Sequence, residues 1–379
     1  MPSLIWREEL GSRRVLTTTG TYAATEGDIA AASGSSVFLF VPSGGGYRRY
    51  AVYDAKEDIA GIATFRPGFL PDGIAVITAG RLIVLGNRKG ALIPIWQAGP
   101  EEGADFSDVA AGDLNGDGRD EIVITAPGTG SIYVYGLTGE EPARLLLELI
   151  GIRTVSGTPH FVRVFKGSTG NSYIAAVYEE NGKFGLTTYS LSPEGFVPGP
   201  VLELQPLYVT AMTSGDFGPG PGQELALGGT GGMVWLVGDG SKPKVLLVTK
   251  ALGNSVSALS PLNRENSGLA AGTPEGNAYI FNYPVRVNPD VSFSPVEGVT
   301  GLAGLPGERV AVGTATGGLQ VWYTGNGGDK WSYVVKPGDT LWNLSRKFGV
   351  PLEQIMAVNN NISNPDLIMP GQIINIPRG

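Results

Sequence analysis

The sequence predicts a mainly β protein: a seven-bladed β-propeller followed by a small C-terminal βααβ domain. Strand-like segments recur with a period of about 45 residues, the range expected for propeller blades. The 58 glycines and 27 prolines among 379 residues, with only 16% charged residues, indicate many short strands joined by turns. The composition then changes at residues 324–330, where the repeats end. These observations separate a repetitive β region from a different closing domain.

Composition excludes several classes of function. The net charge is −8, and no Lys/Arg cluster alternates with aromatic residues, so nucleic acid is not an expected partner. No segment approaches the ~20 apolar residues of a membrane span, and no signal peptide is visible at the N-terminus. The absence of cysteine excludes disulfides and thiol chemistry.

The unit at residues 108–149 shows the four strands of one blade. Its strand segments are 108–113, 121–125, 131–135 and 145–149. Six further units each supply a matching pair of segments: 27–32 with 37–41, 73–78 with 81–85, 172–177 with 184–188, 224–228 with 233–237, 268–272 with 278–281, and 309–313 with 319–323. The repeats therefore predict seven blades.

The seventh unit lacks an outer strand, whereas residues 3–10 have strand character ahead of the first unit. We predict that this N-terminal strand completes the last blade, because closure removes the two free sheet edges of a linear array. An open solenoid is the alternative. The predicted domains are a propeller at 1–326, a linker at 327–330 and the closing domain at 331–379.

One loop has the pattern of a calcium site. Oxygen-bearing side chains stand at alternate positions from Asp113, and Gly118 is the sixth residue, as in the start of an EF-hand loop. Residues 111–124 resemble the FG-GAP or VCBS repeat of integrin-type propellers. The resemblance implies one structural Ca²⁺ ion, whose ligands are Asp113, Asn115, Asp117, the carbonyl of Arg119, and Glu121. The alternative is an Asx-type turn without metal.

A second loop aligns with the first but has lost its middle ligands. Asp216 and Glu224 remain, and glycines replace the residues equivalent to Asn115 and Asp117. Two carboxylates alone bind calcium poorly, so we expect this loop to be free of metal.

The last domain reads as strand, helix, helix, strand. Asp339 or Thr340 is the expected N-cap of the first helix, in which Leu341, Leu344, Ser345 and Phe348 share one face. Pro351 and Glu353 begin a second helix that runs through Val358, and residues 372–376 form the returning strand. Residues 333–377 resemble a LysM module.

The LysM resemblance implies a shallow groove that binds glycans containing N-acetylglucosamine. Two loops form this groove, and its residues are Gly338, Asp339, Thr340, Leu341, Asn364, Pro365, Asp366, Leu367 and Ile368. Backbone amides and carbonyls can pair with N-acetyl groups, while Leu367 and Ile368 offer apolar contact. The alternative for single side chains is a role in the fold alone, with Leu341 and Ile368 in the core.

We expect no catalytic residues. His160 is the only histidine and fits a structural role, and no nucleophile elbow, phosphate loop or zinc motif is present. The acidic pairs Glu57/Asp58, Glu101/Glu102 and Glu179/Glu180 could serve a glycosidase, but adjacent residues of a strand point to opposite faces.

The sequence therefore predicts a non-catalytic cell-wall-binding protein of a bacterial cell envelope or spore surface. Its LysM module would bind peptidoglycan, or in second place chitin, and the propeller would be an interaction scaffold. Two alternatives are a propeller adhesion or assembly protein with a protein ligand, and a polysaccharide-processing enzyme targeted by LysM.

Overall fold

The structure is a computed structural model. It describes residues 2–377 except 24–25, 69–70, 140–144, 193–194, 263–266, 296, 326–329, 336–337, 349, 358, 360–361, 363, 365–366 and 370–371. Within the described chain, no helix is long and apolar enough to cross a membrane.

Seven antiparallel sheets form the blades of a β-propeller, which confirms the predicted fold class. Blade 1 contains β2 (Leu16–Gly20), β3 (Asp28–Ser33), β4 (Ser36–Ser43) and β5 (Gly46–Asp54); blade 2 contains β6 (Gly61–Phe65), β7 (Gly73–Ile77), β8 (Leu82–Arg88) and β9 (Ala91–Ala98); blade 3 contains β10 (Asp108–Gly112), β11 (Glu121–Ala126), β12 (Ser131–Thr138) and β13 (Leu146–Thr154). A 3-10 turn, Pro127–Thr129, joins β11 to β12.

Blades 4 to 6 continue the same order. Blade 4 contains β14 (Thr158–Lys166), β15 (Ser172–Glu180), β16 (Lys183–Ser192), β17 (Gly195–Pro198) and the short β18 (Leu202–Glu203), which also pairs with β16. Blade 5 contains β19 (Val209–Gly215), β20 (Glu224–Gly229), β21 (Val234–Gly238) and β22 (Lys244–Val248). Blade 6 contains β23 (Ala258–Pro261), β24 (Leu269–Gly272), β25 (Ala278–Phe281) and β26 (Val291–Phe293).

Blade 7 is built from both ends of the propeller sequence. It contains β27 (Val299–Leu305), β28 (Arg309–Thr314), β29 (Gly318–Tyr323) and the N-terminal strand β1 (Ser3–Glu9). β1 pairs antiparallel with β29, from Ser3 opposite Tyr323 to Glu9 opposite Gly318. The ring is therefore closed by hydrogen bonds between the first and last strands, and the edge of β29 is covered.

Apolar side chains fill the spaces between neighbouring blades. In β3, Ile29 and Ala31 pack towards blade 7, whereas Ala30 and Ala32 pack towards blade 2. This alternation follows from the period of two along a strand, and it explains why the middle strands are buried on both faces. A corresponding cluster lies at each of the seven junctions between described blades.

Hydrogen bonds also join each blade to the next near the inner strands. These bonds include Thr18 to Thr64 for blades 1 and 2, Arg66 to Asp120 for 2 and 3, Val162 to Asp108 for 3 and 4, Ser214 to Val164 for 4 and 5, Thr210 to Val256 for 5 and 6, Gly304 to Ser260 for 6 and 7, and Thr19 to Gly304 for 7 and 1.

The C-terminal domain has the predicted βααβ order. β30 (Lys330–Val334) pairs antiparallel with β31 (Ile373–Pro377), and the helices α1 (Leu341–Phe348) and α2 (Leu352–Ala357) lie between them in sequence. Its core contains Leu341 and Leu344 from α1 and Ile355 from α2, with Phe348 partly buried against it. The predicted apolar face of the first helix therefore faces this core.

Candidate functional site

The predicted calcium loop connects β10 to β11 in blade 3. Gly116 and Gly118 both have φ near +81°, a conformation that glycine adopts without strain. Asp113 accepts hydrogen bonds from the N–H groups of Gly116 at 2.6 Å and Gly118 at 3.0 Å. The Asn115 side chain accepts from Asp117 N–H at 2.9 Å, and the Asp117 carboxylate accepts from Arg119 N–H at 2.8 Å. The loop is thus a series of Asx-type turns.

Glu121, the last predicted ligand, is buried beneath the loop. Its Oε2 accepts from Leu114 N–H at 2.8 Å, and its Oε1 lies 3.1 Å from Asn115 Nδ2. Burial first, and then the charges of Asp117, Asp113 and Asp120, raise the pKa of Glu121 to about 7. The loop therefore concentrates negative charge around a poorly solvated carboxylate.

The donor chemistry of this loop fits calcium, since all predicted ligands carry oxygen. A nearby cation would also offset the repulsion among the four carboxylates. In the described part of the chain, however, no three His, Asp or Glu side chains converge as a metal-ligating group. The side-chain oxygens of Asp113, Asn115 and Asp117 accept backbone hydrogen bonds within the loop, which is also the pattern of an Asx-type turn without metal. Calcium binding at this loop therefore remains a prediction.

The second loop, between β19 and β20, shares one contact with the first. Glu224 Oε2 accepts from Phe217 N–H at 2.8 Å and from Gly218 N–H at 3.2 Å, just as Glu121 accepts from Leu114. The hydrogen bond from the loop N–H to the glutamate forms even in this second loop, which lacks the middle ligands. A glutamate at this position therefore has a structural role that needs no metal. Asp216 Oδ1 is buried and has no hydrogen-bond partner among the described residues.

Residues of the first predicted glycan loop lead into helix α1. Gly338 has φ of +86° and is exposed, and Thr340 Oγ1 accepts from Asn343 N–H at 3.1 Å. Thr340 is therefore the N-cap, one of the two predicted candidates, while Asp339 is half-buried. Leu341 is 1% exposed, so its side chain belongs to the core.

The second predicted glycan loop is described only in part. Pro365 and Asp366 lie outside the described residues. The Asn364 carbonyl accepts from Leu367 N–H at 3.1 Å, which forms a turn. Leu367 is 67% exposed, whereas Ile368 packs partly against the domain core. Leu367 is thus the more exposed of the two apolar side chains that the structure describes in this loop.

Two further exposed side chains of this domain were not predicted as site residues. Trp342 is 57% exposed, and the Arg346 guanidinium lies over its ring at 4.8 Å from the centroid. Met369 is 71% exposed. The exposure of Trp342 could have been predicted from the sequence, because Trp342 falls outside the apolar face of α1 and must therefore point towards solvent.

Two of the candidate catalytic groups, His160 and Glu179, lie beside each other, and others have separate structural partners. His160 Nε2 lies 3.4 Å from Glu179 Oε2, without the geometry of a hydrogen bond, and its ring is 5.4 Å from that of Phe184. Glu57 accepts from the Thr78 hydroxyl, while its neighbour Asp58 pairs with Arg13. Each of these two carboxylates is thus held by its own structural partner.

Comparison with known proteins agrees with these two regions. Residues 333–377 match the LysM domain, and residues 106–135 match the FG-GAP repeat. The chain therefore has an FG-GAP repeat in a seven-bladed propeller and a C-terminal LysM domain, as the two resemblances implied.

Similar proteins share only a short segment with this chain. SpoIVD-associated factor A of Bacillus subtilis is 47% identical over 45 residues, which is 12% of this chain and 12% of that protein. The spore coat assembly protein ExsA of Bacillus cereus is 47% identical over 45 residues, 12% of this chain and 7% of that protein. The N-acetylmuramoyl-L-alanine amidase XlyA of Bacillus subtilis is 48% identical over 48 residues, 13% of this chain and 16% of that protein. The chain thus spans a small part of each relative.

The propeller resembles solved structures in fold alone. BBS1N, solved in complex with ARL6DN, superposes with a TM-score of 0.62 at 11% identity, covering 86% of this chain and 97% of that one.

Proposed function

We propose that this chain is a non-catalytic glycan-binding protein of a bacterial cell wall or spore surface. The LysM domain, residues 331–379, binds N-acetylglucosamine-containing glycan, with peptidoglycan preferred to chitin. The propeller, residues 1–326, is an interaction scaffold; of the predicted linker 327–330, Lys330 already belongs to β30, so the linker ends at residue 329. The observation that carries this proposal is the LysM match over residues 333–377.

The surface of the LysM domain supports glycan binding. Leu367 and Trp342 are 67% and 57% exposed, although a domain of this size has few apolar side chains to leave in solvent. Apolar side chains cover the carbon face of a sugar, and the backbone of the turn at Asn364 supplies polar groups beside Leu367. Binding of this kind requires no ionisable group, so its affinity should vary little near neutral pH.

The relatives support a location at the wall. One is named a spore coat assembly protein and another an N-acetylmuramoyl-L-alanine amidase, both of which carry a segment like the LysM domain of this chain. The shared segment covers little of either protein, so it supports wall attachment and does not transfer the amidase activity. The separated partners of Glu57 and Asp58 favour a protein that binds without turnover.

Calcium binding at the blade 3 loop is a second part of the proposal. One Ca²⁺ ion would draw the side chains of Asp113, Asn115, Asp117 and Glu121, with the Arg119 carbonyl, towards one point. The charge that raises the pKa of Glu121 supports this role. The ion would stabilise blade 3 and take no part in chemistry.

A protein ligand on the propeller is the second candidate function. The structure of BBS1N in complex with ARL6DN shows that a propeller of similar fold can bind a protein. In this alternative the LysM domain holds the chain at the wall while the propeller presents the partner-binding face.

Titration of the full chain with a soluble N-acetylglucosamine tetramer tests the glycan proposal. We expect saturable binding that Leu367→Ser weakens. Leu246→Ser is the matched control, because Leu246 is 50% exposed on the propeller strand β22. Equal binding by the wild type and Leu367→Ser, or weakening by Leu246→Ser alone, would argue against the proposed loop. Release of reducing sugar from the tetramer would instead support the enzyme alternative.

A further inference from the structure

An open cavity of about 580 Å³ is lined by residues from all seven blades. Its walls are formed by the inner strands β2, β6, β10, β14, β19, β23 and β27, so it is the central channel of the propeller. This volume lies within the range of about 300–1,000 Å³ that small-molecule sites occupy. The channel can therefore hold a ligand the size of one or two sugar rings.

The walls of the channel are polar. The hydroxyl-bearing residues Thr18, Thr64, Thr213, Ser214 and Ser260 line it, together with small residues such as Ala63 and Ala110. Each inner strand pairs with one neighbour in its sheet, and some N–H and C=O groups of its other edge bond to the adjacent blade, such as Val162 N–H and the Gly304 carbonyl. Several of these hydroxyls already bond within the propeller, as in Thr18 to Thr64, Ser214 to Val164 and Gly304 to Ser260, but a hydroxyl oxygen keeps further acceptor capacity for a hydroxylated ligand.

Arg163 is the only charged side chain that the described inner strands contribute to this lining. It lies on β14 and is 23% exposed. Its Nη1 donates to Asp108 Oδ2 at 2.6 Å and to the Val162 carbonyl, which fixes the guanidinium on the channel wall. Nε and Nη2 make no hydrogen bond to the residues that the structure describes, so several N–H donors remain for a ligand.

The surrounding charges select among anions. Asp108 already balances the charge of Arg163, and Glu26, Asp72 and Arg66 belong to segments that line the same cavity, so three carboxylates surround two guanidinium groups. With carboxylates in excess around the cavity, a doubly charged phosphate meets more repulsion than a single carboxylate, which also fits the fork of the guanidinium. The channel therefore favours a monoanion.

We propose that the central channel binds a small hydroxylated or peptidic carboxylate, whose carboxylate group accepts hydrogen bonds from Nε and Nη2 of Arg163. The remaining polar atoms of the ligand pair with the hydroxyls and strand edges of the wall. A sugar acid and the C-terminus of a short peptide share this chemistry. The site is independent of the LysM domain and adds a ligand to the propeller itself.

Calorimetric titration of the full chain with two matched pairs of ligands tests the proposal. D-glucuronate is compared with D-glucose, and N-acetyl-alanyl-alanine with its C-terminal amide, so each pair differs in the carboxylate. We expect at least one acid to bind about tenfold or more tightly than its neutral partner, since a charge-assisted hydrogen bond contributes that much. The pair that shows the difference identifies the source of the carboxylate.

Variants locate the binding. Arg163→Gln should remove the preference for the acid over its neutral partner. Arg163→Lys keeps the positive charge beside Asp108 but loses the fork of the guanidinium. It therefore replaces Arg163→Gln as the test variant if Arg163→Gln does not fold. Arg88→Gln is the control, because Arg88 is exposed at the end of β8. Acid binding that persists in both Arg163 variants overturns the proposal. So does equal binding of acid and neutral partner, or no binding of either acid at tens of millimolar.

Discussion

The N–H of Asp120 donates to the Arg66 carbonyl at 2.8 Å, and the N–H of Arg66 donates back to Asp120 Oδ2 at 2.9 Å. This reciprocal pair joins the end of the calcium loop in blade 3 to the end of β6 in blade 2. The same arrangement joins Asp72 to Thr21 and Gln223 to Lys166. A side-chain acceptor just before the second strand of a blade is therefore a repeated link to the preceding blade.

Removing this acceptor should destabilise the propeller. Asp120 is buried, and Asp120→Ala leaves the N–H of Arg66 without its partner, which costs about 1–3 kcal/mol. Asp120→Asn keeps an acceptor oxygen and should lose much less stability. Denaturant unfolding of the two variants measures the difference. Equal loss in both variants would show that the charge, and not the hydrogen bond, matters at this position.

Calcium should raise the melting temperature. An ion that binds only the folded state adds about 2.7 kcal/mol at one hundred times its dissociation constant. Asp117→Ser leaves an oxygen that can accept from the Arg119 N–H but removes a charge, so it should abolish the calcium effect. Asp216→Asn in the second loop is the control and should leave it intact. A melting temperature that is the same in excess calcium and in chelator would refute the calcium proposal.

Glu224 should make stability depend on pH. Burial raises its pKa above the ordinary value, so the folded state holds the proton more tightly than the unfolded state. Stability from this group is therefore present below the unfolded pKa and is lost as pH rises through the folded pKa. Glu224→Gln keeps the acceptor for Phe217 N–H without the charge. We expect the variant to gain in melting temperature over the wild type as pH rises from about 4 to 7.5. A difference that does not change with pH would contradict this account.

The N-terminal strand should be needed for a stable ring. Trp6 on β1 packs at 5.2 Å from the ring of Phe40 and 5.7 Å from that of Tyr47, both in blade 1. Trp6→Ala should therefore cost about 2–4 kcal/mol. Leu4→Ala on the same strand is the control, because Leu4 is 47% exposed and should cost little. Thermal unfolding that is equally affected by both changes would mean that β1 contributes pairing alone.

The repeats could be predicted because every blade obeys the same local rules. The burial of β11, in which Ile122 and Ile124 face blade 2 and Val123 faces blade 4, follows from an apolar run bounded by turns. Closure by β1 could be predicted because the seventh unit lacked a strand and an unmatched strand stood at the N-terminus.

Contacts between blades could not be predicted in the same way. The bond between Asp120 and Arg66 spans 54 residues and depends on the curvature of the ring, which local periodicity does not encode. Arg163 likewise looks ordinary in the sequence, and its position in the channel depends on the neighbours that the fold places around it. In the LysM domain, the buried Leu341 shows that a motif identifies a loop without separating contact residues from core residues.

Co-sedimentation of the intact chain with insoluble peptidoglycan is the most direct test of wall binding. It should be compared with chitin, and with a chain ending at Gly325 that retains all seven blades, including β1 paired with β29. We predict that the intact chain pellets with peptidoglycan, less with chitin, and that the shortened chain stays in solution while its melting temperature remains high. Equal pelleting by the shortened chain, or no pelleting of the intact chain, would contradict a LysM domain that holds this protein at the wall.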